Sequence, residues 1–147
     1  ELDPAASRVP YMVCPGNHEH YYDFSGYRHR FDLPGPYHSN FTEPRRNLWS
    51  SYDVGGVHFL SFSTEHLKPP LVDEQVAFVR ADLEAASARR ASVPWIVAYG
   101  HKPLYCSTND YYDCNIGSTK LRQLFEPLFQ EFGVDLYLTG HLHNYER

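Results

Sequence analysis

Long apolar runs are missing from this 147-residue chain. No stretch approaches the roughly 20 apolar residues that a helix needs to cross a bilayer, so no membrane-spanning segment is expected. Basic residues are outnumbered, 13 Lys and Arg against 18 Asp and Glu, and the formal net charge is −5. With no basic cluster either, nucleic-acid binding through phosphate neutralisation is excluded as an expectation. There is no start or targeting segment, and residue 1 is Glu. The chain reads as an internal fragment, incomplete at both ends, so its lack of a leader carries no information on location. Cysteine is scarce, with three residues. Cys106 and Cys114 bracket a polar loop, which suits a loop-closing disulfide in an oxidising compartment; two free thiols are the alternative. Cys14 lies among apolar residues and reads as a buried small hydrophobe. The Asn40-Phe41-Thr42 triplet is a glycosylation sequon, a slight addition to the case for secretion.

What is present is aromatic: 12 Tyr and 9 Phe, favouring a dense core with β structure. The length suits one domain. Residues 2–7 read as the tail of a helix. Residues 9–14 (Val-Pro-Tyr-Met-Val-Cys) read as a short buried strand, and residues 20–47, without sustained period, as a long loop of the functional surface. Residues 48–52 and 57–63 flank Asp53-Val54-Gly55-Gly56, a hairpin signal. Residues 72–88 carry apolar positions at helical spacing, with Asp73, Arg80 and Glu84 on the wet face. Residues 95–99 form a second buried strand. Ser118 or Thr119 is expected to cap a second helix over 120–132, kinked or divided at Pro127 and stopped at Gly133. Residues 134–138 form a third buried strand. This order indicates an α/β domain with helices outside a sheet. Of the other histidines, His29 and His38 read as solvated or hydrogen-bonded, His66 as exposed, and His58 as packed in its strand or at an edge.

Three apolar strands each end in glycine plus a potential ligand: Gly16-Asn17-His18, Gly100-His101 and Gly140-His141-Leu142-His143. Neutral imidazole is a common ligand of divalent metals, and glycine lets the backbone approach an ion. In open α/β sheets ligands gather beyond the carboxyl ends of strands, so three such ends would assemble a nitrogen and oxygen donor cluster. Residues two apart on an extended segment face opposite sides, which suits His141 and His143 to two neighbouring metals.

These motifs, with Gly16-Asn17-His18-Glu19, Tyr99-Gly100-His101-Lys102-Pro103-Leu104-Tyr105 and Gly140-His141-Leu142-His143-Asn144-Tyr145-Glu146-Arg147, resemble the metallophosphoesterase superfamily, and within it the purple acid phosphatases. The resemblance covers nearly the whole chain and takes in the 52–59 hairpin and Ser63-Thr64-Glu65. It implies a β-sandwich flanked by helices, of which residues 1–147 are the C-terminal part of the catalytic domain. It also implies a dinuclear centre in which Asn17, His101 and His141 bind a divalent metal (zinc, manganese or iron) and His143 binds iron(III). His18 would contact the phosphate or position the leaving group. The implied activity is that of an acid phosphatase, in which a metal-bound hydroxide hydrolyses a phosphate monoester, in a secreted or lumenal protein.

The sequence departs from the family pattern in two places. The family's Asp-x-Gly and Gly-Asp-x-x-Tyr motifs, which supply aspartate ligands and a tyrosinate, are absent, so the fragment is expected to have little activity by itself. The loop Asn109-Asp110-Tyr111-Tyr112-Asp113 lacks the phosphate-binding histidine of the plant enzymes; Tyr111 and Tyr112 read as structural. The alternatives are a metal-dependent phosphodiesterase and a non-catalytic domain holding one structural zinc, the latter disfavoured because cysteines are absent from the cluster.

Overall fold

The computed structural model of the chain describes residues 4, 7–34, 45, 47–109 and 112–147. Asn40, His38 and Tyr111, and most of the expected helix tail over 2–7, lie outside the described residues. In chain order the elements are a 3-10 turn (Asn17–His20), α1 (Ser25–Arg30), β1 (Ser50–Val54), β2 (Val57–Ser61) and α2 (Leu71–Ala88), then β3 (Trp95–Tyr99), a π-helical turn (Tyr112–Gly117), α3 (Ser118–Phe132) and β4 (Leu136–Leu138). The sheet order is β1-β2-β3-β4. β1 and β2 form the expected antiparallel hairpin with Val54 opposite Val57, and Gly55 supplies the positive φ its turn requires. Two crossovers, through α2 and through α3, return the chain so that β2, β3 and β4 run parallel. This is the α/β architecture expected; of the sandwich, the described residues show one four-stranded sheet.

One face of the sheet is packed by the helices. Leu60, Phe62, Ile96 and Ala98 meet Val79, Leu83 and Ala86 of α2 and Leu121, Phe125, Leu128 and Phe129 of α3. Phe62 sits at the centre, fully buried, with its ring 4.5 Å from Phe125 and 5.7 Å from Tyr137. Each such side chain contributes about 1.5–3 kcal/mol of burial. Asp73, Arg80 and Glu84 face solvent as their helical spacing required. Gln75, on the buried face, accepts from Ser63 N at 2.7 Å and donates to Ser63 O at 2.9 Å. It thereby satisfies the backbone where β2 has ended.

Several expectations are corrected. Among the described residues no strand pairs with residues 9–14; Pro10 lacks a donor, and an apolar segment without a ladder partner is extended chain rather than a strand. The 20–47 stretch contains α1. Its six residues are too few for an apolar period, and it is anchored by buried Phe24 and Tyr27, whose hydroxyl donates to Asn47 O at 2.9 Å. β4 is not buried: it is the last strand in the order, Leu136 and Leu138 are each 49% exposed, and Tyr137 alone turns toward the helices. Ser118 is the first residue of α3 rather than its cap, donating back to Cys114 O at 2.5 Å. α3 runs unbroken through Pro127, and Gly133 ends it in the left-handed conformation. His66 is half-buried, not exposed, with its ring 4.4 Å from Phe24 and its Nδ1 2.7 Å from Ser63 Oγ. Cys14 is half-buried, and burial raises its thiol to about 11. Among the described residues no helix is long and apolar enough to cross a membrane.

Candidate metal centre

Parallel pairing of β3 with β4 sets the site. Tyr99 lies opposite Leu138, so both strands deliver their following turns to the same sheet edge. The ladder continues past the strands: Gly100 N donates to Leu138 O at 3.1 Å and Gly140 N to His101 O at 3.0 Å. Thr139 Oγ1 donates to the same His101 carbonyl at 2.8 Å. His141 takes a φ of +66°, a conformation that costs a non-glycine residue energy and recurs at functional sites.

Gly100 has no room for a side chain. A Cβ there would meet the Tyr137 hydroxyl at 2.9 Å, Thr64 Cγ2 at 3.0 Å and the Phe62 carbonyl at 3.3 Å. Gly16 is similarly hemmed in by Glu19 Oε2 and the His101 ring. Its N–H donates to Glu19 Oε2 at 2.8 Å, which fixes the 3-10 turn that presents Asn17.

Three side chains separated by up to 124 positions along the chain meet here, since Asn17 and His141 are the outermost of them. His101 Nε2 is 2.8 Å from Asn17 Oδ1, and His141 Nδ1 is 3.0 Å from His101 Nε2. Burial, together with the neighbouring His141 and Lys102 and against the pull of Glu65 and Glu19, holds His101 below the ordinary histidine pKa. A neutral ring keeps its lone pair available. Two imidazole nitrogens and one amide oxygen converging at this spacing suit a divalent zinc, iron or manganese ion. Among the described residues no group of three or more His, Cys, Asp or Glu is placed to hold an ion; the cluster consists of two histidines and an asparagine.

His143 and His18 are both exposed, and neither takes part in the hydrogen bonds joining the trio. His18 follows Asn17 on the 3-10 turn. Cys106 and Cys114 are joined as a disulfide that closes the loop after the His101 motif.

Asp113 is the residue that the sequence reading passed over. Its Oδ2 lies 2.7 Å from His141 Nε2 and its Oδ1 3.2 Å from Lys102 Nζ. Burial works to raise its carboxyl, but the His141 and Lys102 contacts prevail and hold it below the usual range. The available signal was its place beside Cys114, in a loop leaving directly from His101.

The chain is similar in sequence and fold to several known proteins. The chain is 42% identical to "Acid phosphatase type 7" of Homo sapiens over 99% of its own length and 34% of that relative's. It is 36% identical to "Probable inactive purple acid phosphatase 9" of Arabidopsis thaliana, over 100% of the chain and 26% of that protein. Among solved structures, a purple acid phosphatase from yellow lupin (Lupinus luteus) seeds superposes with a TM-score of 0.70 at 27% identity, covering 99% of this chain and 27% of that one. The chain therefore spans about a third or less of the length of these relatives. Residues 1–145 match the Calcineurin-like phosphoesterase family, and the chain belongs to it.

Proposed function

We propose that this chain supplies part of the active site of a phosphoric monoester hydrolase of the acid phosphatase type. The observation that carries the reading is the meeting of Asn17 Oδ1, His101 Nε2 and His141 Nδ1 at one sheet edge. Family membership and the lupin enzyme's fold support it. In this reading Asn17, His101 and His141 hold a divalent ion (zinc, manganese or iron(II)), and His143 belongs to the binding of iron(III) beside it. The ions supply Lewis acidity toward a phosphoryl oxygen and neutralise its charge.

The chain's own residues supply placement. Asn17 is a neutral oxygen donor and leaves the charge of an ion uncancelled. His101, kept neutral by burial, offers a nitrogen lone pair, and Gly16 and Gly100 allow the backbone to come close. Glu19, Glu65 and Asp113 make the surroundings acidic, so a phosphate would be attracted by bound cations rather than by the protein. His18, exposed and next to Asn17, is assigned to the phosphate or its leaving group. The Cys106–Cys114 disulfide supports a secreted or lumenal location.

The test is metal analysis of the full-length protein together with turnover of p-nitrophenyl phosphate and bis(p-nitrophenyl) phosphate. Two bound metals and a preference for the monoester are expected. Faster diester cleavage would replace the reading with a phosphodiesterase, and a single closed zinc without turnover would replace it with a structural domain.

A further inference from the structure

Outside the ligand trio, the residue best placed to govern it is Asp113. The carboxylate sits at the start of the π-helical turn, immediately before Cys114. Its backbone is tied on the far side: Cys114 is buried, bonded to Cys106, and its carbonyl accepts from Ser118 Oγ. Asp113 Oδ2 lies 2.7 Å from His141 Nε2 and its Oδ1 3.2 Å from Lys102 Nζ. Lys102 is itself fixed, its N–H donating to Thr64 Oγ1 at 3.1 Å and its carbonyl accepting from the Tyr137 hydroxyl at 2.6 Å.

We infer that Asp113 is a positioning residue: it accepts the Nε2–H of His141, fixing the ring so that Nδ1 faces His101 and Asn17 as the lone-pair nitrogen. A carboxylate can only accept, so the nitrogen opposite it must carry the proton. The neutral ring then has one acceptor nitrogen, Nδ1, and that atom lies 3.0 Å from His101 Nε2. A carboxylate behind a ligating histidine sets its tautomer and orientation and raises its basicity, and losing such a partner typically costs about 10–100-fold in metal affinity. The disulfide loop therefore acts as a bracket for a site built on other elements.

The zinc part of this inference rests on His141 being a metal ligand; the hydrogen bond itself does not. Histidine-labelled full-length protein, metal-free, is followed by NMR for the His141 Nε2–H, alongside zinc titration by calorimetry. In the unmodified protein a protected Nε2–H resonance is expected. D113A should lose it and bind zinc about 10–100-fold more weakly with the fold intact by circular dichroism. D113N keeps an acceptor oxygen and should retain both the resonance and most of the affinity, which also covers the case in which D113A fails to fold. A proton on Nδ1 in place of Nε2, zinc affinity unchanged in folded D113A, or equal losses in D113N and D113A would each overturn the assignment. If the resonance behaves as expected while neither protein binds zinc, the positioning contact stands and the metal reading fails.

Discussion

His101 Nε2 lies 2.8 Å from Oδ1 of Asn17, a residue 84 positions earlier in the chain. Neither residue is on a regular strand or long helix, so the contact exists because β3 ends, and a short 3-10 turn begins, at the same sheet edge. If this pair is half of an ion site, H101A and N17A should each lower zinc affinity by at least about 10–100-fold, the loss seen even for residues that only support a ligand. Titration calorimetry with zinc alone reads the effect. Unchanged affinity in both variants would remove the pair from any metal site.

Gly100 tests the packing behind the site. In G100A the new methyl meets the Tyr137 hydroxyl, Thr64 and the Phe62 carbonyl at 2.9–3.3 Å. Overpacking of this kind costs about 1–3 kcal/mol. A lower urea midpoint with an unchanged slope is expected, accompanied by weaker zinc binding because His101 is the next residue.

His58 gives a pH dependence of stability near neutrality. The ring is buried; its Nδ1 is 2.7 Å from Asp53 Oδ1 and its Nε2 2.8 Å from Asp82 Oδ2, with Arg89 also on Asp53. Burial disfavours the imidazolium, but the two carboxylates outweigh it and raise the pKa above 6.5. A raised folded-state pKa contributes stability that is complete below the unfolded value and is lost as pH climbs through the folded one. The thermal midpoint should therefore fall as pH rises above 6.5 through the raised folded-state value, and H58Q should flatten that fall. An identical slope in the variant would show that the network is not the source.

His66 has the opposite sign. Burial lowers it from 6.5 to about 4, against Phe24 and Ser63. Its neutral form contributes stability that is complete above pH 6.5 and is lost as pH falls toward 4. Comparing thermal midpoints of the wild type and H66F across that window isolates the effect from titrating carboxylates. The wild type should lose more on acidification than the variant.

Much of the fold could be read in advance wherever a period was long enough to see. The hairpin at Gly55-Gly56, the α2 face of Val72, Val79, Leu83 and Ala86, and β3 over Trp95–Tyr99 all follow from apolar spacing and turn chemistry. α1 was hidden because its six residues hold one fully buried side chain, Tyr27, too little to make a pattern. The burial of His66 was equally hidden, since it depends on Phe24, 42 positions earlier.

By itself the order of residues determined which side chains could serve: Asn17, His101 and His141, each close behind a glycine after an apolar segment. Tertiary structure decided which of them meet. Parallel pairing of β3 with β4 brings His101 to His141, and the 3-10 turn adds Asn17, while His143 is left exposed beyond the trio. It also decided the part of Asp113, because a carboxylate's role is set by the donor opposite it, and that donor is 28 residues away. Local spacing encodes the strand and the turn that follows it; a contact across the sheet edge is encoded only in how those turns pack.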